Sequence, residues 1–103
     1  MNPANLHPQA DEELSEISLY YESLAAGLGA DFLVELNRTL AFLLQFPGAG
    51  RAIRHGSRRL SLRRFPYHLI YRVEPTCVYI LAIAHHRRRP GYWRIRARPQ
   101  VAR

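Results

Sequence analysis

The residues able to do chemistry are concentrated in one run, His85-His86-Arg87-Arg88-Arg89-Pro90-Gly91-Tyr92-Trp93-Arg94, which holds two imidazoles, four guanidiniums and two aromatic rings. Guanidiniums neutralise phosphate or carboxylate through a planar fork, aromatic rings stack on bases, and imidazoles move protons near neutral pH. The run therefore reads in two ways. It is a surface for RNA or an acidic protein segment, or it is a solvated basic turn whose Tyr92 and Trp93 pin the chain end to the core. A second basic group, Arg58, Arg59, Arg63 and Arg64, falls on a neighbouring predicted strand. Adjacent strands run about 4.8 Å apart, so the two groups can merge into one positive patch. His85 and His86 close a strand on which successive side chains point to opposite faces, so a shared metal ion is geometrically awkward and none is expected. For this pair, one packed ring beside one solvated ring stands against a role in recognition or catalysis. The sequence contains no Gly-rich phosphate loop, serine nucleophile elbow or cysteine metal motif.

Charge is divided along the chain. The first 37 residues contain seven acids (Asp11, Glu12, Glu13, Glu16, Glu22, Asp31, Glu35) and no Arg or Lys, whereas from Arg38 onward fifteen Arg face the single acid Glu74. The net charge of +7 thus hides a basic half suited to nucleic acid or an acidic protein segment. Lys is absent. A coding bias toward Arg accounts for that, as does a use for bidentate anion contacts, but bias leaves the absence of both Arg and Lys from the first 37 residues unexplained. A chain of 103 residues has room for one core and is read as a single domain, 1–103. With 48% hydrophobic and 22% charged residues it is expected to fold rather than stay disordered. The longest apolar runs, Leu40 to Leu44 and Cys77 to Ala84, fall short of the roughly 18 residues a membrane span needs. The N-terminus lacks the basic start and apolar stretch of a secretory signal, and the lone Cys77 forms no internal disulfide, so a cytoplasmic protein is expected.

The elements that must position these residues follow from periodicity. From Gln9 to Ala26, Ala10, Leu14, Ile17, Tyr21, Leu24 and Ala25 mark one face of a helix, with Pro8 suited to its first turn. Asp11, Glu12 and Glu13 complement the positive end of its dipole. Gly27 and Gly29 are expected to break this helix. Ala30 or Asp31 then opens a second one, striped by Phe32, Leu33, Leu36, Leu40, Leu43 and Leu44 and ended by Pro47-Gly48-Ala49-Gly50. So short a connection implies an antiparallel helical hairpin. Arg58 to Phe65 alternates as a half-exposed strand does. Tyr67 to Val73 places Tyr67, Leu69, Tyr71 and Val73 on one face and His68, Ile70 and Arg72 on the other. After the turn at Glu74-Pro75-Thr76, Cys77 to Ala84 reads as a strand buried on most of its surface. The expected architecture is α+β, an N-terminal helical hairpin on an antiparallel sheet of three to four strands, Ala4 to His7 being the candidate fourth. Arg87 to Arg89 with Pro90-Gly91 form a basic turn into Tyr92-Trp93-Arg94.

Taken in order, several segments resemble the RelE/ParE toxin superfamily of bacterial type II toxin–antitoxin systems. They are Leu19-Tyr20-Tyr21-Glu22, Phe46-Pro47, Arg58-Arg59-Leu60, Arg64-Phe65-Pro66-Tyr67-His68-Leu69-Ile70-Tyr71-Arg72-Val73, Ala82-Ile83-Ala84-His85 and Arg88-Arg89-Pro90-Gly91-Tyr92-Trp93. The likeness runs from about Leu6 to Arg96. It implies a helical hairpin on a curved antiparallel sheet and a growth inhibitor of the plasmid stabilisation type, neutralised by a cognate antitoxin. RelE-like members cut mRNA on the ribosome with basic residues on the sheet and a C-terminal Tyr, whereas ParE-like members inhibit gyrase without that set. Tyr92 falls where the RelE-like Tyr would sit, but His68 and His86 stand where those enzymes carry Arg. The Phe65-Pro66-Tyr67 and Arg89-to-Trp93 segments are more ParE-like. The resemblance thus implies a ParE-like toxin that binds DNA gyrase and has no membrane partner. Its expected antitoxin or target contacts are Arg58, Arg59, Arg63, Arg64, Arg87, Arg88, Arg89, Trp93 and Arg94. The alternative is a ribosome-dependent endoribonuclease with His68, His86, Tyr92 and Arg64 as catalytic candidates, and a non-toxic basic binding module is the third reading. None of these calls for a cofactor.

Overall fold

A computed structural model describes residues 4–97. Strand β1 (Ala4–Leu6) leads directly into helix α1 (Pro8–Leu24). His7 caps that helix: its Nδ1 accepts the Gln9 N–H at 3.1 Å, satisfying one of the amides a first turn leaves free, and Pro8 occupies the position where no N–H is needed. Helix α2 (Leu28–Gln45) follows after Gly27, whose φ of 86° lets the chain reverse. The Glu22 carboxylate, near the end of α1, accepts the N–H groups of Gly27 at 2.9 Å and Gly29 at 3.0 Å, so one helix caps the next. Gly29 does not break anything. It is buried in the first turn of α2, where a Cβ would run into the Ser18 carbonyl, so it permits close approach of the two helices. The second helix accordingly opens at Leu28, ahead of the expected Ala30.

A 3₁₀ turn (Pro47–Ala49) leads to β2 (Arg51–Ile53), β3 (Ser57–Ser61), β4 (Tyr67–Val73) and β5 (Val78–His85), and a second 3₁₀ turn spans Arg94–Ala97. The sheet order is β1-β5-β4-β3-β2. Four strands are antiparallel neighbours, while β1 runs parallel to β5 with Ala4 opposite Val78. The α+β hairpin-on-sheet expectation holds, with two corrections: the sheet has five strands, and it is mixed rather than wholly antiparallel. The candidate strand at Ala4 to His7 is present as β1, and the added strand, β2, has three residues, too few to show a period, and is defined by its pairing partner. The strand expected over Arg58 to Phe65 stops at Ser61. There the Glu35 carboxylate of α2 accepts the N–H groups of Arg63 and Arg64, holding the chain out of the ladder.

Both faces of the sheet are covered. On one, Ala10, Ile17, Phe32, Leu36 and Leu43 of the helices meet Leu62, Phe65, Leu69, Tyr71, Val78, Ile80 and Ile83. On the other, Ile70, Leu81, Ala82 and Ala84 are covered by Trp93 and Ala97. Ile70 faces Ala82 but Tyr71 faces Ile80, which leaves Leu81 as an extra residue in β5 and turns it toward the second cluster. Burial on two faces explains why this strand reads as one continuous apolar run. No helix among the described residues is long and apolar enough to cross a membrane.

Candidate functional site

The chain beyond β5 returns across the sheet face opposite the helices and encloses a cleft of about 430 Å³. Ile53, Ile70, Ala84 and Trp93 line it with apolar surface, and its charge comes from Arg54, Arg59, Arg88, Arg89 and Arg94, with His55, His68 and His86 among them. Among the described residues no carboxylate lines it. His68 and His86 stack with ring centres 5.2 Å apart and planes inclined by 20°. Pairing places His68 opposite Ala84, and the His86 N–H donates to the Pro66 carbonyl at 2.8 Å, which brings the second ring beside the first. Burial, then the charge of Arg59 and the neighbouring His86 and His85, push the His68 pKa down to about 4. His68 is therefore neutral at pH 7 and adds no charge to that of the guanidiniums.

Tyr92 forms one wall. Its hydroxyl donates to Glu13 Oε2 at 2.8 Å, and its ring lies under the Arg88 guanidinium at 3.9 Å and near that of Arg96 at 5.1 Å. Glu13 also accepts the Ile83 N–H at 3.0 Å and two bonds from Arg96, at 2.9 and 3.0 Å. Arg96 in turn donates to the Leu81 carbonyl at 3.0 Å. The cause lies in the backbone. β1 ends opposite Ile80, so the outer edge of β5 continues without a strand, and the Glu13 and Arg96 side chains satisfy the groups that a longer β1 would have paired. Burial and the bond to Glu13 push the Tyr92 hydroxyl pKa well above the ordinary phenol range. Burial opposes the Arg96 charge, but the hydrogen bond and attraction of Glu13 outweigh it and raise that pKa.

The structure divides the expected contact residues. Arg59, Arg88, Arg89 and Arg94 converge on the cleft with His68, His86 and Tyr92. Trp93 lines it too, but only 5% of its surface is exposed, and His55 meets its ring edge-on at 5.9 Å. His85 turns to the helix side, where its ring packs against Tyr67 at 5.0 Å, and its Nδ1 accepts the Arg87 N–H at 3.0 Å. Arg58 points away from the cleft and donates to the Gly50 carbonyl at 2.7 Å, fixing the 3₁₀ turn before β2. Arg63 and Arg64 lie beside α2, with Arg64 3.9 Å from Asp31 and both exposed. The two basic groups thus do not merge, and only Arg59 of the second joins the first. Alternation along β3 sends Arg58 and Arg59 to opposite faces, and the chain leaves the sheet before Arg63. Sequence reasoning passed over Arg54 and His55, brought in by the turn at Gly56, and gave Glu13 only a helix-dipole role.

A second groove of about 620 Å³ lies between α2 and the end of β3, lined by Val34, Arg38, Phe42, Leu60, Ser61 and Arg63 among others. Val34 and Phe42 are 49% and 47% exposed. Strand β2 pairs only as far as Arg59, so the outer edge of β3 at Leu60 and Ser61 has no strand partner among the described residues.

These features define a class: a small α+β domain with a helical hairpin on one sheet face and an acid-free basic cleft on the other. The family model for the ParE toxin of type II toxin–antitoxin systems, parDE, matches residues 4–90. The chain belongs to the ParE toxin family. Among solved structures, a chain of the chromosomal ParDE toxin–antitoxin system from P. aeruginosa is similar at a TM-score of 0.74 and 26% identity, over 82% of this chain and 96% of that one. No curated protein matches the chain. The family match ends at Pro90, so Tyr92 and its partner Arg96 lie beyond it.

Proposed function

We propose that this toxin acts in the cytoplasm by binding DNA gyrase, and that a cognate antitoxin neutralises it. The observation that carries the choice of a binder over a ribonuclease is the Tyr92 hydroxyl. It is committed to Glu13 at 2.8 Å, with a proton held more tightly than in a free phenol. Cutting RNA needs a group free to reach the reacting phosphate and charge placed where charge develops, and a neutral His68 supplies little of the latter. The groove beside α2 suits the antitoxin: the open edge at Leu60 and Ser61 can accept an added strand, Val34 and Phe42 offer apolar surface, and Arg38 and Arg63 can meet acidic side chains. The test incubates the purified protein with gyrase, relaxed plasmid and ATP, and in parallel with translating ribosomes. Lost supercoiling, restored by the product of the adjacent gene, with intact mRNA is the expected result. The basic cleft is the observation that favours a ribonuclease instead, and codon-positioned cuts with normal supercoiling would install that reading.

A further inference from the structure

Independently of the gyrase reading, the fold separates unspent charge onto two opposite faces. On the solvent side of α1, Asp11, Glu12 and Glu16 are exposed and form no ion pair among the described residues, and no Arg or Lys occurs before Arg38. In their midst stands Leu19, 70% exposed. Its neighbours on the helix surface, three and four positions away, are Ser15, Glu16, Glu22 and Ser23, all polar and exposed. Beyond the sheet, Arg54, Arg59, Arg89 and Arg94 ring the cleft and likewise form no ion pair among the described residues. Between them lie the half-buried Ile53 and Tyr92 and the exposed Pro90. One face is an apolar knob among acids, and the other is an apolar hollow among bases.

We infer that these two faces bind each other between copies of this chain, with α1 of one copy laid over the cleft of the next and Leu19 entering it. The charges are complementary in sign, and both faces place an apolar centre within a charged rim, the arrangement in which interfaces concentrate their binding energy. A hollow of about 430 Å³ lies in the range that takes a small organic group, so a leucine side chain fits. A helix satisfies its own main-chain groups, so docking needs no free strand edge. The helices cover one sheet face and the cleft opens on the other, so both faces of one copy cannot meet the same partner. The contact is therefore heterologous, and it extends head to tail instead of closing as a pair. It is also small. Asp11 to Ser23 spans about 18 Å of helix, so the association is weak, and the net charge of +7 keeps the assemblies short. Within an assembly every cleft but the terminal one is covered.

The test is sedimentation velocity of the nuclease-treated full chain in low salt, from about 10 μM to about 1 mM. The weight-average mass is expected to climb from that of one chain past that of two, and to return to one chain in about 0.5 M salt, where screening reaches within a few ångströms. Leu19→Lys puts a cation against the basic cleft, and the double variant Arg59→Ala with Arg94→Ala removes half of its unpaired guanidiniums, so each should stay monomeric while melting near wild type. Mixed one to one, the intact cleft of the first variant should take the intact α1 of the second and stop at a dimer. Phe42→Ser, in the groove beside α2, should associate as wild type does. The inference is overturned if wild type stays monomeric to about 1 mM or levels at two chains, if Leu19→Lys associates like wild type, if the mixed variants remain monomeric, or if Phe42→Ser abolishes association. Association that vanishes on nuclease treatment overturns it too, because the cleft then holds nucleic acid. None of these results depends on the supercoiling assay.

Discussion

The Tyr92 hydroxyl and the Glu13 carboxylate meet at 2.8 Å, joining the first helix to the last described turn around the edge of β5. The helices lie on one face of the sheet and the returning C-terminal segment on the other, so this contact and the Glu13–Arg96 pair close the molecule where β1 has run out. The same contact fixes the wall of the basic cleft. A helix residue that touches neither the cleft nor the groove beside α2 thereby decides the cleft's shape.

Glu13→Ala is expected to be the most damaging single charge deletion in the chain. The Arg96 and Glu13 side chains are only 10% and 14% exposed, and removing one partner of a pair at that depth leaves the other charge uncompensated, which costs about 3–5 kcal/mol. It also strips the Ile83 N–H of its acceptor. Urea unfolding of the variant beside wild type measures the loss, and a change below about 1 kcal/mol would show that the edge closes without Glu13.

Tyr92→Phe keeps the ring under Arg88 and removes only the bond to Glu13. A hydrogen bond to a charged group contributes about 1.5–3 kcal/mol, so a measurable fall in melting temperature is expected. Growth inhibition should persist at temperatures where the variant is folded, and transcript ends mapped in cells should match those of wild type. Codon-positioned cuts present with wild type and lost with Phe would instead make Tyr92 a catalytic residue.

The hairpin-on-sheet plan was legible because its carriers repeat a period: Phe32, Leu36 and Leu43 on a helix face, Leu69 and Tyr71 on a strand face. One strand, Arg51–Ile53, escaped because three residues display no period, whereas the short strand expected at Ala4 to His7 is present as Ala4–Leu6. The cleft was half legible. The run His85 to Arg94 was visible as a cluster, although His85 turns to the helix side, and its partner surface depended on the sidedness of Arg58 and Arg59, of which strand alternation placed only one there. Glu13 was the hardest to read. Its role arises from the end of β1 and the extra residue Leu81 in β5, and its partners Tyr92 and Arg96 stand more than seventy positions away.

Replacing Arg87, Arg88 and Arg89 together by Ala is expected to leave the fold nearly intact. All three are exposed, and the interaction of Arg88 with the Tyr92 ring at 3.9 Å is worth about 0.5–1 kcal/mol. The variant should melt within a few degrees of wild type. A variant that fails to fold would make the turn structural.

His68 gives the protein a pH dependence whose sign is fixed by its surroundings. Burial comes first, followed by Arg59 from β3 and by His86 and His85 at the end of β5, and together they hold its pKa at about 4 against an ordinary 6.5. Arg88 and Arg89 line the same cleft. Because the folded value lies below the unfolded one, the unfolded chain takes up the proton first as pH falls. Stability is therefore intact above about pH 6.5, declines from there to about pH 4, and ceases to depend on this group below that, where both states are protonated. Carboxylates elsewhere titrate near the lower end of the window, so the measurement is a difference: melting temperature against pH for wild type and for His68→Gln, which carries no titrating ring. The gap between the two curves should shift steadily in favour of the variant from pH 6.5 to pH 4 and stay constant above pH 7. Curves that run parallel through the window would mean that His68 is protonated as readily in the folded protein as in the unfolded chain, and that the cleft carries an additional charge at the acid end.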